Sequence, residues 1–254
     1  MKELLKAVGL LHIEATLPTL VQQAQSQQLT YEAFLHQVLS TEREARQQMA
    51  YQRRLRLARL PASKTLEAFD FSFQPSLSAR LVQELATLSF VATCTNVVLL
   101  GPPGVGKTHL VSALAVKAVQ AGHSALFTTL SRLVDDIAAV PHPSLWRQRL
   151  RRYMHPEVLV IDEVGYTRLT PEQAHHLFEL VTARYEHGSI LLTSNTSFAE
   201  WGSLLGDEVL ATALLDRLLH HAEVLAINGN SYRMKDRLAP GTSFSQPGGV
   251  RQDV

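Results

Sequence analysis

The sequence predicts an α/β fold, with a five-stranded, mostly parallel sheet covered by helices on both faces, on three observations. From Asn96 onward, short runs rich in Val, Ile and Leu alternate with helical runs, the order that a doubly covered parallel sheet requires. The octapeptide Gly101-Pro102-Pro103-Gly104-Val105-Gly106-Lys107-Thr108 lies between an apolar run and a helical run, as a G-x-x-x-x-G-K-T phosphate-binding loop should. A later apolar run, Val158 to Ile161, ends in two acids, Asp162 and Glu163, although a buried strand normally excludes charge.

In chain order, the first sixty residues read as a small helical unit. Leu4, Leu5, Val8, Leu11 and Ala15 recur at helical spacing, and Pro18 fits an early helix turn. Thr30 is placed to cap a helix whose apolar face is Phe34, Leu35, Val38 and Leu39. From Ser40 the pattern turns polar, and Arg53, Arg54, Arg56 and Arg59 alternate with Leu55, Leu57 and Leu60 until Pro61. These signals divide the chain into a helical domain at 1–60, a linker at 61–68 and a main domain at 69–237. In the main domain, strands are expected at 96–100, 125–129, 158–161, 190–194 and 224–227. Helices are expected at 108–120, around 132–139, and at 171–185, where Pro171 suits the first turn. Residues 238–254 hold Pro240, Gly241, Pro247, Gly248 and Gly249 with few apolar groups, the composition of a disordered tail.

The composition is globular, with 46% apolar and 19% charged residues over 254 positions. The formal net charge of +1 hides an uneven distribution, because residues 1–65 hold nine Lys and Arg against five Glu, a net of +4. Global charge gives no reason to expect an anionic partner, whereas local charge leaves a polyanion open. Cys94 is the only cysteine, so no internal disulfide forms, which suits a reducing compartment. No stretch approaches the roughly 20 apolar residues that span a bilayer, and the start lacks the pattern of a signal peptide. The cytoplasm is expected, without a membrane partner.

The loop glycines Gly101, Gly104 and Gly106 let backbone N–H groups face phosphates, and the following helix adds its N-terminal dipole. Lys107 would reach the β and γ phosphates of a nucleoside triphosphate, and Thr108 would offer a hydroxyl to Mg²⁺. Asp162 would hold that metal through water, and Glu163 would orient and activate the attacking water. Ile190 to Asn195 reads as a strand ending in an amide where ligands of parallel sheets gather, a signal weak by itself. Arg217 and Arg233 are candidates for stabilising the charge of phosphoryl transfer, although most arginines are simply solvated or paired. Arg53, Arg54, Arg56 and Arg59, and a second group of Arg147, Arg149, Arg151 and Arg152 beside Trp146, are basic enough to contact nucleic-acid phosphates. A solvated helix face explains each group as well. The pairs His175-His176 and His220-His221 diverge by about 100° on a helix, so no metal site beyond Mg²⁺ is expected.

Several motifs together resemble one family. They are Gly106-Lys107-Thr108-His109-Leu110, Asp162-Glu163-Val164-Gly165-Tyr166, Arg184-Tyr185-Glu186, Thr193-Ser194-Asn195, Trp201-Gly202, Leu215-Asp216-Arg217-Leu218-Leu219-His220-His221 and Ser231-Tyr232-Arg233. The sequence resembles the IstB ATP-binding proteins of insertion sequences, relatives of the DnaC helicase loaders within the AAA+ ATPases, over most of residues 5–236. Val164 stands where many relatives carry Leu. The resemblance implies an AAA+ fold with ATP cradled from Gly101 to His109, and a helper that assembles on duplex DNA as a homo-oligomer and controls a partner transposase. It also implies that Asn195 is a sensor, that Arg217 is a finger offered to a neighbouring subunit's ATP, and that Arg233 is a second sensor in its own subunit. A helicase loader acting on single-stranded DNA, and an adaptor that binds ATP without hydrolysing it, are the alternatives.

Overall fold

The computed structural model describes residues 1–61, 64–139 and 143–232, with the side chains of 143–147 excluded. The expected tail at 238–254, the site candidate Arg233, the side chain of Arg147 and the linker positions 62 and 63 lie outside the described residues.

Five strands form one parallel sheet: β1 (Asn96–Leu100), β2 (Ala125–Thr129), β3 (Val158–Val164), β4 (Ser189–Ser194) and β5 (Ala222–Ala226), in the order β2-β3-β4-β1-β5. Strand pleating divides the apolar side chains between two cores. Val97, Leu99, Val158 and Val160 face one core, completed by helices α4 (Ala79–Leu85), α5 (Ser89–Ala92) and α6 (Lys107–Gln120). Val98, Leu159, Ile161, Ile190 and Leu192 face the other, covered by α7 (Leu130–Ala138), α8 (Pro143–Met154), α9 (Pro171–Arg184), α10 (Trp201–Leu205) and α11 (Glu208–His220). Burial on both faces is why β1, β3 and β4 read as continuous apolar runs rather than as alternating ones, whereas the edge strand β5 is largely exposed.

The expected strands are all present, β1 and β2 with the expected ends and β3, β4 and β5 with shifted ones. β3 continues through both acids to Val164, and β5 lies two residues earlier than its apolar run at its start. Helix α7 starts directly from β2, because the Thr129 hydroxyl accepts from the Arg132 N–H at 3.3 Å and caps it. Helix α9 opens on a capping box between Thr170 and Gln173, with Pro171 in its first turn.

The first sixty residues form α1 (Lys2–Ala7), α2 (Leu17–Ser26) and the 28-residue α3 (Tyr31–Ala58), which Thr30 caps through Ala33 N–H. Helical spacing overstated the first helix: α1 stops at Ala7, and Gly9 turns at φ +77°. Of the residues at that spacing, Leu5 is buried while Leu4, Val8 and Leu11 are exposed. The loop after Gly9 explains the difference, because α3 binds its backbone. Glu42 accepts from His12 and Ile13 N–H at 2.8 and 2.9 Å, and Arg46 donates to the Gly9 carbonyl. Leu10 and Ile13 therefore fill the small core with Leu5, Leu17, Leu20, Phe34 and Val38, whereas Leu35 and Leu39 stay exposed.

Beyond Ser40 the polar stretch is the same helix, and its end joins the main domain. Ala58 is fully buried in the sheet core, with Tyr51, Leu55 and Leu60 against it. Leu66 of the expected linker is buried there too, so packing crosses the boundary drawn near residue 60.

Candidate functional site

β1 leads into the loop at Gly101, and α6 starts at Lys107. Gly106 caps α6 at φ +103°, and a Cβ there would fall 2.6 Å from Phe69 Cε2, so backbone strain and space both demand glycine. The first N–H groups of α6 have no intrahelical acceptor and form an anion-binding end. Lys107 is buried, and its Nζ donates to the carbonyls of Gly101 and Pro102 at 2.6 and 2.8 Å.

Opposite the loop, β3 carries one extra residue against β4, because Ile161 pairs with Leu192 but Val164 with Ser194. In a regular strand, neighbouring side chains point to opposite faces. The bulge, with Glu163 at φ +63°, instead lets Asp162 and Glu163 line one cleft. A positive φ at a non-glycine residue costs on the order of 1–3 kcal/mol and gathers at functional sites. Asp162 is buried and accepts from Thr108 Oγ1 at 3.0 Å and from Thr193 Oγ1. The same Thr193 hydroxyl accepts from the Glu163 N–H at 3.1 Å. Two hydroxyls and a carboxylate thus meet at one point, the hard oxygen donors that suit Mg²⁺.

β4 brings Asn195 into the cleft, its N–H donating to Val164 at 3.3 Å. Its Oδ1 is buried without a hydrogen-bond partner, a cost accepted where a ligand completes the bond. Gly165, at φ +103°, makes room for it, since a Cβ at that position would collide with Asn195 Oδ1.

The cleft measures about 460 Å³, within the range of small-molecule sites. Pro103, Gly104, Val105 and His109 line it with Lys107 and Thr108. Its outer wall escaped the sequence reading: Phe69, Asp70, Gln74 and Tyr232 all face it. His109 bonds the Thr65 carbonyl at 2.7 Å and meets the Phe69 ring edge-on. The chain after β5 crosses the loop, with Tyr232 N–H donating to Gly104 O at 2.9 Å and Gln74 Nε2 to Asn230 O at 3.0 Å. The aromatic run Phe69, Phe71, Phe73 was the available signal, but its period of two suggests a strand, whereas Phe71–Phe73 forms a 3-10 turn.

Arg217 does not join this cleft. It borders a hollow with Cys94, Asn96, Ile190, Glu186 and His221, at the amino ends of β1 and β4, whereas the cleft lies at the carboxyl ends. Its Nη1 donates to Ala213 O at 3.2 Å, and its guanidinium carbon lies 4.7 Å from the Phe178 ring centroid.

One arginine of each group, Arg59 and Arg152, lines a common depression with Arg132, Asp135 and Asp136. Arg149 and Arg152 both pair with Asp136, which also accepts from Tyr153 Oη at 2.8 Å. Burial and that bond push the Tyr153 hydroxyl up to about 12. Arg53, Arg56 and Arg151 are exposed, and Arg54 is half-buried. Among the described residues, no three His, Cys, Asp or Glu side chains gather as a metal cluster, and no helix is long and apolar enough to cross a membrane.

Residues 3–240 match the family described as IstB-like ATP binding protein. The chain belongs to that family. Among IstB-like relatives, it is 47% identical to an insertion sequence IS21 ATP-binding protein of Pseudomonas aeruginosa, over 94% of this chain and 90% of the relative. It is 42% identical to an insertion sequence IS5376 ATP-binding protein of Geobacillus stearothermophilus, over 84% and 85%. The fold resembles AMPPCP-bound DnaA from Aquifex aeolicus (TM-score 0.55, 19% identity, 70% of this chain and 54% of that one). It also resembles DnaI (TM-score 0.54, 20% identity, 69% and 92%). The IstB-like chain thus spans about half of the DnaA chain but most of its curated relatives, and it shares with DnaA and DnaI the fold of a parallel sheet flanked by helices.

Proposed function

We propose that this IstB-like protein hydrolyses ATP, assembles on duplex DNA as a homo-oligomer, and in that state regulates a partner transposase. The observation that carries the hydrolytic part is the bulge that turns both Asp162 and Glu163 toward Lys107 and Thr108. A protein that only held ATP would need the first acid and not the second.

In this reading, Lys107 and the N–H groups of the loop bind the phosphates. Thr108 and Asp162 would hold Mg²⁺, which when bound supplies positive charge to the phosphate oxygens. Glu163 orients a water and takes its proton as the water oxygen bonds to the γ-phosphorus and the bond to the β-phosphate oxygen breaks, releasing ADP and phosphate. Asn195 offers its unpartnered amide to the γ-phosphate or the water. Arg217 serves a neighbouring copy, because the length of β1, at about 3.3 Å per residue, separates it from the cleft of its own chain. Arg233 is assigned to the second sensor on motif position alone.

The DNA contact is assigned to Arg53, Arg54, Arg56 and Arg59 with Arg147, Arg149, Arg151 and Arg152, because Arg59 and Arg152 share one depression. The relatives' insertion-sequence names support a transposase as the partner. ATP turnover measured with and without duplex DNA tests the proposal. Glu163→Gln should remove turnover and keep ATP binding, and Lys107→Ala should remove binding. Absence of turnover under both conditions, with Glu163→Gln indistinguishable from wild type, refutes hydrolysis. Tighter binding to single-stranded than to duplex DNA would favour a helicase loader.

A further inference from the structure

Arg217 stands in the last full turn of α11, and α9 packs alongside that helix. Its guanidinium lies against the half-buried Phe178 of α9, 4.7 Å from the ring centroid. Among the described residues, no carboxylate pairs with it. Glu186, which borders the same hollow, faces His221 at 3.7 Å.

That choice of partner has a chemical consequence. A carboxylate would hold the guanidinium through two of its N–H donors and cancel its charge. An aromatic face attracts the cation through the ring quadrupole and occupies no donor. With one further bond to Ala213 O, the side chain is held by a ring and a single carbonyl, and most of its five N–H groups stay available.

We propose that Phe178 is a positioning residue for Arg217: its ring holds the guanidinium ordered and unneutralised, so that it can be delivered to the triphosphate of a neighbouring copy. This rests on the finger reading given above, and the two fail separately. Phe178 does not line the cleft, and it acts through Arg217 alone.

The test uses the full chain with saturating duplex DNA, reading kcat and KM for ATP, ATP Kd, and assembly by sedimentation. Phe178→Leu keeps an apolar side chain and removes the ring. It should lower kcat about fivefold to tenfold, with KM, ATP Kd and assembly within about twofold of wild type. Phe178→Tyr, which restores an aromatic face, should return kcat to within about twofold of wild type. If Arg217→Ala abolishes turnover but Phe178→Leu does not lower it, the positioning role is wrong and the finger stands. If Arg217→Ala keeps full turnover, the finger reading itself falls. A Phe178→Tyr variant as slow as Phe178→Leu, or a loss of assembly in parallel with kcat, also overturns the role.

Mixing supplies a second measurement if Phe178→Leu folds poorly alone, with Phe178→Met as the substitute. Lys107→Ala protomers cannot bind ATP but retain both Phe178 and Arg217. Added to Phe178→Leu protomers, they should raise turnover above that of either variant alone. No gain overturns the proposal.

Discussion

Arg184→Lys is expected to destabilise the protein although it keeps the charge. Arg184 closes α9, is 2% exposed, and has no carboxylate partner among the described residues. Its Nη1 donates to the carbonyls of Tyr153, Met154 and Pro156 at 2.9, 3.1 and 2.9 Å, and its Nη2 to those of Glu157 and Ser189 at 3.2 and 3.1 Å. Burial pushes its pKa down to about 10, which still leaves it charged at neutral pH. A planar fork spreads its donors over five carbonyls, whereas an ammonium carries three donors at one point. Glu157 O keeps a bond from the Ser189 N–H at 2.9 Å, so lysine does not orphan every carbonyl, but it forfeits at least two of the five charge-assisted bonds, about 1–2 kcal/mol each. The expected loss is about 2–4 kcal/mol for Arg184→Lys. Arg184→Ala should lose about 3–5 kcal/mol, the range for breaking a buried charged network. Equilibrium denaturation in urea, with the slope compared between variants, reads both values. A lysine variant within about 0.5 kcal/mol of wild type would refute the argument, because the carbonyls would then be satisfied without the fork.

Gly165→Ala should lower turnover at least tenfold while ATP Kd changes little, because a Cβ there collides with Asn195 Oδ1 at φ +103°; an unchanged kcat would remove Asn195 from the chemistry. Burial raises the Glu42 carboxyl, but bonds from Arg46 and from the N–H groups of His12 and Ile13 outweigh it and hold it below its usual 4.5. Because the folded value is the lower one, its stabilisation is present above about 4.5 and is lost as pH falls through the folded value. Proteolysis within residues 1–30 should rise in that window, and Glu42→Ala should show the same susceptibility at pH 7. Asp136→Ala releases Arg149 and Arg152 and should tighten duplex DNA binding severalfold at low salt; unchanged affinity would mark the depression as an ordinary solvated face.

The phosphate loop, the acid-tipped strand and Asn195 were legible because each lies on a buried parallel strand or the turn after it, where apolar runs mark the element and an unexpected polar residue marks the site. β1 and β2 appear with the ends read from the sequence. The bulge at Asp162 and Glu163 was not legible, because register depends on the partner strand and no local pattern encodes the extra residue. Phe69, Gln74 and Tyr232 escaped for a related reason: they meet only through contacts such as Gln74 to Asn230, across a wide sequence separation. The N-terminal unit misled differently. A helical period placed Leu4, Val8 and Leu11 on a buried face, and Glu42 and Arg46 won by binding the backbone of residues 9–13 as a loop. Arg184 stood in a resemblance motif with no role assigned to it, and the structure gives it five carbonyls to hold.

The contrast between the two arginines of these motifs bears on how hydrolysis would be controlled. Arg184 has its donors saturated and its charge buried, so it stabilises the segment that leads into β3. Arg217 has one backbone bond and a ring beneath it, and it lies at the amino end of the sheet, while Lys107, Asp162, Glu163 and Asn195 gather at the carboxyl end. A protomer with that layout carries a binding cleft and an unspent cation that cannot meet within one chain. If an arginine is required where charge develops on the phosphate, ATP binding is complete in the monomer, but hydrolysis requires the carboxyl end of one sheet to face the Arg217 edge of another. Assembly on a polyanion that lines up copies then governs turnover without altering the cleft itself.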